Sequence, residues 1–117
     1  MSLDLTFYMD LDVGAADGTL HRVEFGSRNI THNLTNMAEE AGVYDCLWRP
    51  EENFFEEAGQ MIAPLTHGLF KLKSNPEYYR RFNPKNGWGD YTGLIEFVEW
   101  SLEMCSQYPK ASVYACR

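Results

Sequence analysis

Basic residues are scarce in this chain. Its 117 residues carry 10 Lys and Arg against 17 Asp and Glu, a formal net charge of -7. Binding nucleic acid without sequence preference needs clustered cations to neutralise phosphates, and this balance argues against it. Such a surface serves solubility, and it is also suited to a basic protein partner. Cysteine is scarce as well. Cys46, Cys105 and Cys116 form an odd, widely spaced set, which suits reduced thiols in a cytoplasm and not a disulfide framework. No apolar run approaches the length of a membrane span. The first ten residues lack the basic start and apolar stretch of a signal peptide, so the expected compartment is the cytoplasm. The catalytic fingerprints are missing too: there is no G-x-S-x-G, no Walker loop and no Rossmann glycine pattern. His21, His32 and His67 with the three cysteines include no pair at a recognised metal spacing. Neither a metal nor a cofactor is expected.

What is present is an ordinary globular composition, 44% hydrophobic with 15% aromatics, enough for one modest core and therefore a single domain over 1–117. Leu3, Leu5, Phe7, Met9 and Leu11 alternate with Asp4, Thr6, Tyr8 and Asp10, the period of a strand with one buried face. Ala15-Ala16-Asp17-Gly18 supplies a turn, and Leu20–Phe25 alternates again, predicting an antiparallel hairpin. From Thr31 the period becomes helical, with Leu34, Met37, Ala38 and Ala41 on one stripe and Gly42 as the C-terminal stop. Pro50-Glu51-Glu52 predicts a helix start, and the stripe Phe54, Ala58, Met61, Leu65, Leu69, Leu72 predicts continuation. A break at Pro64 would divide it into one helix to about Ile62 and a second over 64–73. Asn75-Pro76 opens a short helix, Asn83–Gly89 is a turn, and Asp90 or Thr92 caps a last helix ending at Tyr108-Pro109. Ser112–Cys116 reads as a final strand returning beside the first. The expected fold is therefore α+β: a small three-stranded antiparallel sheet, made of the N-terminal hairpin and the C-terminal strand, covered by about four helices.

The stretch S-R-N-I-T-H-N-L-T-N at 27–36 stands out. It gathers Asn29, Thr31, His32 and Asn33 at what reads as a helix entrance, where such side chains cap unpaired N–H groups and where an anion can be held. If later loops meet there, Trp48, Arg49, Trp88 and Tyr91 would complete a pocket for a phosphorylated or nucleotide-like ligand, Arg49 taking the phosphate and a Trp ring stacking on a base. The alternative is purely structural: the 29–33 motif caps a helix, and Trp48 and Trp88 are core residues with satisfied indole N–H groups. Adjacent acidic pairs such as Glu51-Glu52 splay apart on a helix and make no acid–base couple. Phe54, Phe55, Tyr78 and Tyr79 are more aromatic pairs than one helix side can bury, which suggests an exposed contact patch or a homodimer surface.

N-I-T-H-N-L at 29–34, L-W-R-P-E-E at 47–52 and N-G-W-G-D-Y at 86–91 together resemble a family of small uncharacterised proteins encoded by bacteriophages and prophages. The resemblance covers most of the chain. It implies an accessory role in the cytoplasm of a bacterial host, and small proteins of that kind act by binding a host protein or a defence-signalling molecule. The expected function is binding and not catalysis, of a small phosphorylated ligand at the eight residues above, or of a host protein through exposed aromatics.

Overall fold

A computed structural model describes residues 1–117 of the chain. Three strands, β1 (Ser2–Leu11), β2 (His21–Thr31) and β3 (Ser112–Cys116), form one antiparallel sheet in the order β2-β1-β3. The alternation of the N-terminus dictates the faces. Leu3, Leu5 and Phe7 are fully buried, each contributing about 1.5–3 kcal/mol of burial. Asp4, Thr6 and Tyr8 face outward, where Thr6 hydrogen-bonds Ser27 across the pair at 3.0 Å. β3 joins β1 only over Asp4–Tyr8.

Five helices complete the chain: α1 (Thr35–Ala41), α2 (Tyr44–Trp48), α3 (Ile62–Ser74), α4 (Pro76–Arg80) and α5 (Tyr91–Gln107). α1 stops at Gly42, whose φ of 79° lets its N–H return to the Ala38 and Glu39 carbonyls. α5 starts at Asp90, whose side chain accepts from Gly93 N at 2.7 Å, and it runs against β2 and α3. Its inner stripe of Leu94, Phe97, Val98 and Cys105 meets Leu65, Leu72 and the buried sheet face in one core.

Three local expectations are corrected. β2 does not end near Phe25; it continues through Asn29, Ile30 and Thr31 as far as the partner of Ser2. Polar residues are tolerated in this half because their side chains lie on the open face. Asn29 Nδ2 donates to both Ser2 Oγ and Asp4 Oδ1 at 2.8 Å. Pro50–Ile62 is not one helix. A 3-10 turn over Pro50–Asn53 ends where Phe54 takes φ 63°, and a second 3-10 turn, Ala58–Met61, leads directly into α3. Glu57 and Gln60 cap that second turn reciprocally. Pro64 breaks nothing, because it sits in the first turn of α3, where the missing N–H has no intrahelical partner to lose.

Candidate functional site

The eight residues singled out by the sequence separate into small groups, each engaged with its own partners. Asn29 belongs to the open sheet face described above. Thr31 ends β2 and caps a 3-10 turn, His32–Leu34, with Oγ1 accepting from Asn33 N at 3.2 Å. The His32 N–H donates to the Met1 carbonyl at 3.3 Å. The first N–H groups of this entrance are thus spent within the protein and do not converge on an open anion site.

His32 accepts at Nδ1 from Trp48 Nε1 at 2.9 Å. Trp48, 1% exposed, is part of the core, stacked on Tyr44 at 5.7 Å. The indole N–H of a buried tryptophan needs an acceptor, and here a side chain provides it. Arg49 turns the other way. It donates from Nε to the Tyr44 hydroxyl at 3.0 Å and pairs with Glu52, and both contacts, the one to Tyr44 first, raise its already high pKa. Arg117 draws the same region together, donating to the Trp48 carbonyl at 2.7 Å and pairing with Glu51 and Glu52.

Asn33 and Trp88 do meet, through the backbone: Asn33 Nδ2 donates to the Trp88 carbonyl at 3.3 Å. The loop carrying Trp88 is pressed onto the entrance. Gly89, at φ 97°, leaves no room for a Cβ, which would fall 2.6 Å from Thr31 Cγ2. The Trp88 ring itself is 73% exposed. Tyr91 points inward, its hydroxyl donating to the Leu72 carbonyl at 2.6 Å, with the Arg80 guanidinium 5.0 Å above the ring centre. Thr31, Asn33 and Trp88 are brought together, as are His32 and Trp48. Asn29, Arg49 and Tyr91 join neither group.

No cavity opens among them. The two surface clefts lie elsewhere, one of about 410 Å³ between Glu51 and Val113–Arg117 and one of about 200 Å³ at Glu39, Gly42, Tyr44 and Asp45. Every buried side-chain N and O atom has a partner, so no interior group is left aimed at a missing ligand. No three His, Cys, Asp or Glu side chains converge to hold a metal ion, and no helix is long and apolar enough to cross a membrane.

Of the four aromatics expected at a contact patch, Tyr79 is buried. Phe55 and Tyr78 are half-buried against the core, and the Tyr78 hydroxyl donates to Glu40 Oε2 at 3.0 Å. Phe54 alone stands clear, 84% exposed, at the only positive φ of any non-glycine residue. A bulky residue there is a genuine outlier, costing on the order of 1–2 kcal/mol. Glu51, Glu52, Glu56 and Glu57 surround it in sequence. Glu57 makes a bridge to Ser112 at one end of β3 and Glu51 pairs with Arg117 at the other, so the 410 Å³ cleft lies directly beside this segment. Leu11, Val13 and Leu20 of the hairpin and Phe70 of α3 are exposed as well, although alternation put Leu11 on the buried face of the first strand. The signal available for the exposure of the first two was alternation running past the reach of a short C-terminal strand. Comparison with protein-family models, with curated proteins and with solved structures returned no match to this chain.

Proposed function

We propose that this chain is a protein-binding module that engages a basic partner through Phe54 and its glutamate surround. The observation that carries this reading is Phe54 itself, 84% exposed at an unfavourable φ. An exposed aromatic is a common contact anchor. Glu56 and Glu57, which have no ion-pair partner while Glu51 and Glu52 are held by Arg117 and Arg49, favour a positively charged surface opposite. The engagement of His32, Trp48, Arg49 and Tyr91 with other parts of the fold supports the same choice over a pocket for a phosphorylated ligand. With the bacteriophage resemblance, the proposed setting is the cytoplasm of a bacterial host and the proposed partner a host protein.

Phe54→Gly tests this directly. Glycine adopts φ 63° without strain, so the thermal midpoint should hold or rise. Capture of a partner from bacterial lysate by the immobilised protein should fall by about tenfold or more, in line with loss of an aromatic anchor. Undiminished capture by Phe54→Gly would reject the anchor. A thermal-shift screen against nucleotides and sugar phosphates supplies the opposing arm, since a ligand held by the native state raises the midpoint. A rise that disappears in Arg49→Ala would move the function to the small-ligand reading.

A further inference from the structure

The hairpin outruns the body that supports it. β3 lies beside β1 only as far as Tyr8, opposite Ser112. A register shift between Phe7 and Tyr8 leaves Phe25 as the extra residue. It is stacked on Tyr108, just past the end of α5, at 4.2 Å. Outward from there, through Met9–Leu11 and His21–Val23, β1 and β2 pair only with each other, and the molecule measures 56 × 27 × 21 Å. A lone two-stranded ribbon is marginal in water, yet this one displays Leu11, Val13 and Leu20 to solvent. Its tip is acidic. Asp10 is held by Arg22, while Asp12 and Asp17 have no cation in reach.

The root end of the molecule has the complementary character. Thr31, at the root of the hairpin, touches the Gly89 loop. Tyr91, which follows that loop, bonds to the Leu72 carbonyl near the end of α3 and sits under Arg80. Lys71, Lys73, Arg80, Arg81 and Lys85 are half of the chain's 10 basic residues. The stretch holds one acid of its own, Glu77, and further carboxylates reach this end, Glu40 at the Tyr78 hydroxyl and Asp90 at the start of α5. Lys73 and Arg80 are paired with Glu99 and Glu77, but Lys71, Arg81 and Lys85 have no carboxylate partner. Phe70 and Trp88 stand exposed in the same part of the chain. Ten residues of β1 at about 3.3 Å each put tip and root about 33 Å apart.

We infer that two copies of this chain pair antiparallel about a two-fold axis, the acidic, apolar tip of each arm lying on the basic, aromatic root end of the other. Complementary charge and apolar surface sit at opposite ends of one elongated molecule, so a two-fold arrangement satisfies both contacts at once and closes the assembly. It also gives the unsupported half of the ribbon something to pack against. Phe54 takes no part, so this assembly and the partner reading stand or fall separately.

The experiment is sedimentation velocity on the full chain and on two charge-reversed variants, Asp12→Lys/Asp17→Lys and Arg81→Glu/Lys85→Glu. The wild-type chain is expected to sediment as a dimer. Each variant alone weakens the dimer by about tenfold or more, since like charges now face each other twice. An equimolar mixture of the two restores it, which also proves that both variants are folded. Reversing the tip lowers the net negative charge, so tighter association of that variant would show that overall repulsion governs and would overturn the inference. So would a monomeric wild-type chain, variants that dimerise unchanged, or a mixture that stays monomeric. Leu11→Ser/Leu20→Ser leaves every charge in place and is expected to weaken the dimer as well. Loss of lysate capture by Phe54→Gly in a monomeric protein would remove the dimer and leave the partner reading intact.

Discussion

Replacing His32 by alanine separates a structural role from a ligand-binding one. In the folded chain Trp48 Nε1 donates to His32 Nδ1 at 2.9 Å while the indole is 1% exposed. His32→Ala removes the acceptor and leaves the donor inside, which costs about 1–3 kcal/mol. An unfolding entropy of about 2.1 cal/mol/K per residue gives a chain of this length about 0.25 kcal/mol/K, so each kcal/mol lowers Tm by about 4 °C. Differential scanning calorimetry should therefore find His32→Ala about 4–12 °C below the parent. Trp48→Phe/His32→Ala removes donor and acceptor together and should fall short of the sum of the single losses by about 0.5–3 kcal/mol, the coupling expected of neighbours. A His32→Ala midpoint within about 1 °C of the parent would refute this reasoning. Histidine would then be dispensable to the fold and free to serve a ligand.

Two further outcomes follow from packing and burial. Gly68 lies in α3 where a Cβ would collide with Val43 Cγ1 and fall 2.9 Å from the Ala41 carbonyl oxygen. Gly68→Ala should lower the urea midpoint by the equivalent of about 1–3 kcal/mol, with the m-value unchanged; an unchanged midpoint would mean that α3 is free to move away from Val43. Burial pushes the Cys46 and Cys105 thiols up to about 12 from the ordinary 9.0, whereas Cys116 is exposed. A disulfide reagent should titrate one thiol in the native protein and three in denaturant. A raised thiol pKa means that the folded state keeps protons which the unfolded chain releases. The stability from these two groups is therefore complete below about pH 9 and is lost as pH rises toward about 12. A thermal midpoint that stays flat from pH 9 to 11 would contradict their burial.

Much of the architecture was legible where one face of an element had to be buried. Leu3, Leu5 and Phe7 could share a core only as a strand, Gly42 offered the left-handed stop of α1, and Asp90 offered the cap of α5. The Ser112–Cys116 strand pairs beside β1, the simplest return of the chain to its first strand. The errors came where polarity was read as a loop or helix entrance. Asn29 suits an N-cap by type, but β1 needs a partner along its whole length, and the open face of the sheet accepts it as a strand residue. Pro64 reads as a breaker in the sequence because its place in the first turn of α3 depends on where that helix begins, which the capped turn Ala58–Met61 decides.

For the candidate site the division is sharper. The 29–33 motif does stand at the turn from sheet to helix, and Thr31 does cap it. Whether its histidine faces solvent or a partner depends on which side chain, distant along the chain, arrives there, and that residue is Trp48. The length of the hairpin arm is likewise a relation between β1 and a β3 too short to follow it. The sequence by itself determined the fold class, the paired strands and most helix ends, because periodicity and capping act over a few residues. Only the tertiary structure decided which polar groups are spent on one another and which apolar side chains remain outside, because burial and hydrogen-bond partnership are properties of contacts between segments far apart in the chain.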